Sequence, residues 1–435
     1  MRKAGSAMGS ARVIFDRWDG RYAAAMADVR SSAVRDLFAA ASRPDVISLS
    51  GGMPDVRRVP HEAVSRAVRE ALKHDGPAAL QYGSSEGRYP LRSTIVGLMA
   101  ETGVRLSEDD LIVTSGAQQG LDLLAKVFLD PGDTVICEGP TYVGALQAFS
   151  VYRPRIEWIE TDEHGMRVDL LEETLRRLGP QGAKFIYTIP NFQNPAGVTL
   201  TPDRRRRLLE LAREYDIPVV EDDPYGRLRY EGGHVLPLRA LDADVIYLGT
   251  FSKIFAPGLR LGWMAAPRPI LAKVLLAKQG ADLCGSSFAQ SVAEHYMKGT
   301  AWRRVLADLT KTYHERRDAM LAALVEHFPA DVTWTHPEGG FFVWVTLPAH
   351  LDTRPLLAEA VEHGVTFVPG SDFYPDGSGR NSLRLAFCYE EPARIEEGVR
   401  RIAEVLEDKL ALYRAFVTAG ALPVVPGGQR QEVRA

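Results

Sequence analysis

Five short runs of apolar, β-rich residues, separated by stretches of helical period, constrain this chain more than any other feature of its sequence. They are Leu111–Thr114, Thr134–Glu138, Phe185–Ile189, Pro218–Asp222 and Val245–Gly249. Runs this apolar point to strands covered on both faces, hence to a sheet held between helices. Helix signals stand between the later runs. Thr201-Pro202-Asp203 offers an N-cap, a first-turn proline and an early acid ahead of Leu208, Leu209, Ala212 and Tyr215. Strands alternating with helices predict an α/β fold with a largely parallel sheet. In such sheets ligands bind outside the carboxyl ends of the strands, so the residues just after each run matter most.

The first run leads into Ser115-Gly116-Ala117-Gln118, which opens a helix. Glycine allows close backbone approach, and free N–H groups at a helix start favour an anion, so a phosphate cradle fits; small residues are also ordinary in such turns. Gly139-Pro140-Thr141-Tyr142 follows the second run and supplies a ring that could stack on a planar ligand or simply pack. The third run ends in Asn194-Pro195-Ala196-Gly197, where the Asn194 amide serves either the turn alone or a ligand oxygen. The fourth ends in Glu221-Asp222-Asp223-Pro224-Tyr225. Acids buried there need a partner, such as a cationic ring nitrogen; Mg²⁺ is a second option, though no phosphate-loop lysine motif accompanies it.

The fifth run ends in Gly249-Thr250-Phe251-Ser252-Lys253, with Arg260 close behind. A lysine directly after a buried strand must be desolvated, paired or covalently used. Desolvation lowers its pKa and yields an amine able to form a Schiff base. Asn194 and Asp222 are 28 residues apart, Asp222 and Lys253 31, each about one strand–helix–strand unit. The three groups therefore share one rim. An amide, a carboxylate, a phenol and a lysine beside a phosphate cradle and an arginine describe one ligand, pyridoxal 5'-phosphate.

The rest of the sequence narrows the class. Lys and Arg total 52 against 56 Asp and Glu, a net charge of −4 that argues against nucleic acid as a partner. Three cysteines without CxxC spacing, and histidines without metal spacing, predict neither disulfides nor a metal centre. No apolar run approaches the roughly 18 residues of a membrane span, and the N-terminus lacks a signal-peptide core, so the cytoplasm is the expected location. Arg204-Arg205-Arg206-Arg207 reads as a solvated helix face, and Cys137, Cys284 and Cys388 as buried, inert thiols. From Ala301 the pattern changes to a long amphipathic stretch, Val305 to Phe328, followed by Phe341–Leu347 and Ser382–Phe387. These predict a second, smaller α+β domain. The expected divisions are an N-terminal arm or helix over 1–50 that forms part of the small domain, a large domain over 51–300, a small domain over 301–415 and a tail over 416–435.

Read in order, a set of motifs resembles the class I and II aminotransferases of pyridoxal-phosphate fold type I. They are Ser50-Gly51-Gly52-Met53-Pro54, Gln81-Tyr82 with Glu86-Gly87, the Ser115 turn, Gly139-Pro140-Thr141-Tyr142 and the Asn194 turn. Glu221 to Tyr225, Phe251-Ser252-Lys253 with Arg260, and Ser382-Leu383-Arg384-Leu385 complete the set. The likeness is greatest to the branch holding 2-aminoadipate aminotransferase and the catalytic domains of MocR-type regulators, and runs from about Ala33 to Leu406. It implies a large domain with a mostly parallel seven-stranded sheet between helices, plus a smaller α+β domain.

The resemblance also implies roles. Lys253 would bind the cofactor and shuttle the substrate proton, Asp222 would pair with the ring nitrogen, and Asn194 and Tyr225 would bond its 3′-oxygen. Tyr142 would stack on the ring. Ser115, Gly116, Ala117, Gln118, Thr250, Ser252 and Arg260 would hold the phosphate, with Tyr82 reaching it from the neighbouring subunit of a homodimer. Arg384 would grip the substrate α-carboxylate, aided by Asn194 and the Gly52 backbone; Ser32 and Arg35, on a mobile helix near residues 30–40, would read the distal end of the side chain. The implied reaction passes an amino group from an L-amino acid of the 2-aminoadipate, aromatic or branched-chain type to a 2-oxo acid such as 2-oxoglutarate, in two ping-pong halves. Decarboxylation or β-elimination with the same cofactor stays open, since a fold does not choose the bond broken. A ligand-sensing regulatory domain is disfavoured, because only about 50 residues precede the core and they hold no basic recognition helix. One departure is visible: Ala196 stands where the family usually has threonine.

Overall fold

All five apolar runs form strands of one eight-stranded sheet in the computed structural model, which describes residues 16–18, 20–26 and 45–418. In chain order the strands are β1 (Leu111–Thr114), β2 (Thr134–Gly139), β3 (Arg155–Asp162), β4 (Gly165–Met166), β5 (Phe185–Thr188), β6 (Val219–Asp222), β7 (Ile246–Thr250) and β8 (Gly262–Ala265). Their spatial order is β1-β8-β7-β6-β5-β2-β3-β4. The run β7-β6-β5-β2-β3 is parallel throughout, whereas β8 runs against both of its neighbours and β4 against β3. The seven strands expected are thus joined by a two-residue eighth, formed where Gly165 turns the chain back on Asp162.

Alternation along the strands explains how both faces are buried. Phe185 and Tyr187 point to the face covered by α1 (Ala117–Phe128), while Ile186 between them packs with Leu208 and Leu211 of α2 (Pro202–Glu214) on the other. A further helix, α3 (Arg268–Asp282), lies beside α1 through Leu271 and Val274. β3 and β8 lack the β-rich apolar pattern of the other strands. The first is half-exposed and carries Arg155, Glu157 and Glu160; the second is Gly-Trp-Met-Ala, with no β-branched residue.

Beyond the sheet, α4 (Ala301–His327) leads to β9 (Thr333–Trp334), β10 (Phe342–Thr346), β11 (Val368–Pro369) and β12 (Ser382–Ala386), an antiparallel sheet ordered β9-β10-β12-β11. Helix α5 (Pro392–Thr418) closes it and reaches three residues into the segment expected as tail; residues 419–435 lie outside the described residues. The core here joins Met320 and Leu324 of α4, Val343 and Leu385 of the strands and Ile395, Val399 and Ile402 of α5. Ile47 and Leu49 enter the same core, and the Leu49 carbonyl accepts from the Ala386 amide at 2.7 Å. Among the described residues no helix is long and apolar enough to cross a membrane.

Two expectations need correction. A helix advances by about 100° per residue, so four consecutive arginines cannot share a solvated face. Arg205 is fully buried at the start of α2. Its guanidinium donates to the carbonyls of Leu200 (2.9 Å), Leu236 (2.8 Å) and Pro190 (2.7 Å) and to Oδ1 of Asn191 (2.7 Å). It thereby anchors the segment that leads to Asn194. Arg204 is half-buried against Asp162, leaving Arg206 as the exposed member. Among the cysteines, Cys137 and Cys388 are buried as expected but Cys284 is half-exposed, because it follows the end of α3. Replacing Arg205 by Met keeps the volume but strands three buried acceptors and a fourth that is partly buried. Arg205→Met should lower stability by about 3 kcal/mol or more, seen as a lower urea midpoint; an unchanged midpoint would contradict the anchoring role.

Candidate active site

The carboxyl ends of β1, β5, β6 and β7 open on one rim. At β1, Thr114 is followed by Ser115 and by Gly116 at φ +77°, a conformation that glycine tolerates best. A Cβ on Gly116 would sit 2.6 Å from an Arg260 Nη2. Glycine therefore lets the guanidinium close over the turn, where it also donates to the Ser115 carbonyl at 3.3 Å. Ala117 and Gln118 begin α1, with their amides at its positive end. From β7, the Thr250 hydroxyl donates to Ser252 Oγ at 2.9 Å and accepts from the Ser252 amide at 3.1 Å, which fixes the turn that presents Lys253.

Lys253 is held by one carbonyl, Gly52, at 2.8 Å, and its ammonium stands 5.5 Å from the Phe341 ring centre and 5.9 Å from that of Tyr225. Burial pushes its pKa down to about 8. Asp222, at the tip of β6, is buried, with Oδ2 accepting from the Tyr187 hydroxyl at 2.9 Å and Oδ1 without a donor. Burial pushes its pKa up to about 7, against the opposing pull of Tyr187. Arg384 of β12 is buried too. It donates to Asn194 Oδ1 (2.8 Å) and the Ser50 carbonyl (2.7 Å), stacks over Phe342 and Phe373, and leaves Nε without a partner. Burial draws its pKa down to about 10. Gly52 is bare for a reason, since a Cβ there would meet the Phe342 ring at 2.6 Å.

Around these groups, the Tyr142 hydroxyl donates to Gln118 Oε1 at 3.3 Å, which links the second strand end to the first. Tyr225 is buried with its ring edge against Phe341 and Phe342. The structure therefore brings together Ser115, Gly116, Ala117, Gln118, Tyr142, Asn194, Asp222, Tyr225, Thr250, Ser252, Lys253, Arg260, Arg384 and Gly52. Tyr82 stands apart, 78% exposed on the surface of the chain. Ser32, Arg35 and the helix expected near residues 30–40 lie outside the described residues.

Several supporting residues escaped the sequence reading. Tyr187 lies mid-strand among apolar neighbours and gave no motif signal. Glu138 is buried, accepting from Thr188 Oγ1 (2.7 Å), the Ile189 amide (3.1 Å) and Gln193 Nε2 (3.1 Å). Gln193 also donates to the Pro140 carbonyl and accepts from the Ala196 amide at 2.7 Å, so the turn holds its shape around Ala196. The Cys388 thiol donates to the carbonyls of Gly51 (3.4 Å) and Met53 (3.2 Å), flanking the carbonyl that holds Lys253. Only spatial neighbours distinguish these residues from ordinary core.

Buried polar atoms without partners ask for a ligand. Asp222 Oδ1 requires a donor and Arg384 Nε an acceptor, with a nucleophilic amine between the two strand systems and an anion cradle at the start of α1. These residues fit pyridoxal 5'-phosphate at one end and an amino-acid carboxylate at the other.

Comparison with known proteins agrees with that chemistry. Residues 44–402 match the family model described as aminotransferase class I and II. The aromatic-amino-acid aminotransferase 1 of Thermococcus litoralis is 46% identical over 387 residues, 88% of this chain and 93% of its own. The 2-aminoadipate transaminase of Thermus thermophilus is 38% identical over 400 residues, covering 91% of this chain and 98% of its own. Among solved structures, the multiple substrate aminotransferase of Thermococcus profundus superposes with a TM-score of 0.87 at 43% identity, over 91% of this chain and all of that one.

Tyr187→Phe removes one hydroxyl and leaves Asp222 with neither oxygen bonded. Its affinity for the cofactor, titrated into cofactor-free protein, should fall by about tenfold. Unchanged affinity would show that the hydroxyl is mere packing.

Proposed function

The chain belongs to the class I and II aminotransferases and is a pyridoxal-phosphate-dependent enzyme of fold type I, and from that premise we propose how its own residues divide the work. The Lys253 amine carries the reading, being half-buried and bonded to a single carbonyl at the rim. Lys253 would hold the cofactor covalently and, once released, move the proton at the substrate α-carbon. Its lowered pKa suits that task near neutral pH. Bound there, the cofactor supplies an electron sink conjugated to the substrate nitrogen.

The other residues hold and orient. Asp222, one oxygen occupied by Tyr187, keeps the other for the ring nitrogen. Asn194 and Tyr225 would bond the ring oxygen, and Tyr142 would cover the ring. Ser115, Gly116, Ala117, Gln118, Thr250, Ser252 and Arg260 would receive the phosphate. Arg384 would fork the α-carboxylate, with Asn194 and the Gly52 backbone beside it. Phe342 and Phe373 stack against that guanidinium, which supports substrates with aromatic or other apolar side chains. The named relatives act on aromatic amino acids and 2-aminoadipate. The proposed substrates are accordingly L-amino acids of the 2-aminoadipate, aromatic and branched-chain types, with 2-oxoglutarate as acceptor and Ser32 and Arg35 reading the distal group. The proposed setting is the cytoplasm.

A homodimer with shared sites is part of the same proposal. Tyr82 and its neighbour Leu80, 78% and 73% exposed, form an apolar projection suited to a second copy, where the Tyr82 hydroxyl would reach the partner's phosphate.

The yellow enzyme mixed with a single aromatic amino acid should convert to the pyridoxamine form by absorbance, and a 2-oxo acid should restore it. Lys253→Ala should cut turnover by about 10³-fold or more. Release of CO₂ or ammonia without that conversion would overturn transamination. Tyr82→Phe should weaken cofactor binding by about tenfold in a species that sediments as a dimer; a monomer at assay concentration would overturn the shared site.

A further inference from the structure

Lys278 is fully buried in the last turns of α3, although lysine is among the residues least often hidden. Its ammonium donates to Asp282 Oδ1 at 2.8 Å. The other oxygen of Asp282 accepts from Gln119 Nε2 at 2.7 Å and lies 3.5 Å from Ser115 Oγ. Gln119 Oε1 accepts in turn from the Ser115 amide at 2.8 Å. A chain of contacts therefore runs from the buried side of α3 to the first turn of α1 and ends on the proposed phosphate cradle.

Helix stability does not account for the pair. Asp282 is the final residue of α3, where the helix dipole disfavours an anion, and a lysine one turn before an acid is the weaker order of an i,i+4 pair. Electrostatics at the cradle poses the opposite difficulty. A carboxylate within reach of Ser115 repels any phosphate bound there unless a cation cancels its charge.

We propose that Lys278 and Asp282 form a charge-neutral positioning pair for the cofactor phosphate. Asp282 orients Gln119 and with it Ser115, and Lys278 cancels the repulsion that Asp282 exerts on the phosphate. The proposal rests on the reading of residues 115–118 as the phosphate cradle. It adds two residues to the site, neither of which touches the cofactor.

The experiment titrates cofactor-free protein with pyridoxal 5'-phosphate and, separately, with pyridoxal, which lacks the phosphate. Lys278→Met should weaken binding of the phosphate form on the order of tenfold and leave pyridoxal binding unchanged. Adding Asp282→Asn, which keeps an acceptor for Gln119 but removes the charge, should restore most of the loss. Equal losses for both ligands, no loss, or no restoration in the double variant would overturn the proposal. Wild-type protein that binds pyridoxal as tightly as its phosphate ester would instead overturn the cradle reading on which it rests.

Discussion

A carboxylate held out of water with one oxygen deliberately unsatisfied is the constraint on which the rest of this structure depends. Burying Asp222 is costly, and burying it half-bonded is costlier. The parallel sheet makes it possible, because β6 is covered on both faces and its tip meets Tyr187 of β5 on one side and the Lys253 turn after β7 on the other. Each neighbour depends on the same geometry. Tyr187 reaches the carboxylate because alternation along β5 puts it on the α1 face, and Lys253 reaches the rim because Thr250 and Ser252 lock the turn behind it.

Glu138 and Glu221 show how the sheet manages comparable burdens without a ligand. Glu221 accepts the amides of Leu238 and Arg239, and Glu138 takes three donors from the β5 end and the turn beyond it. Both carboxyls are nevertheless pushed up to about 7 by burial. Asp222 is the member of this trio whose spare oxygen faces no donor, and that difference sets it apart from the two braces.

Much of this was legible in the sequence, and the reason is geometric. Parallel strands buried on both faces leave long apolar runs, and crossover lengths of about thirty residues fix which strand ends are neighbours, so Asn194, Asp222 and Lys253 could be placed on one rim from spacing alone. Strand β3 was missed because it is half-exposed and carries charges, and β8 because its Gly-Trp-Met-Ala sequence, though buried on both faces, holds no β-branched residue. Arg205 was misread because composition cannot tell which of four adjacent arginines a helix turns inward. Tyr187, Gln193, Cys388 and the Lys278–Asp282 pair were invisible for one shared reason. Each is distinguished by contacts with residues of other elements, and such adjacency leaves no local pattern.

The hydrogen bond between Leu49 and Ala386 carries a consequence for how the protein is made. Its neighbour Cys388 is 337 residues from Gly51, so the segment bearing Gly52 finds its partners among residues synthesised long after it. The cradle at Ser115 and the turns bearing Asp222, Lys253 and Arg260 are all synthesised well before Arg384. The residues proposed for the cofactor thus precede in synthesis the arginine proposed for the substrate carboxylate, and the Gly52 carbonyl that holds Lys253 is placed only when both ends of the chain have met.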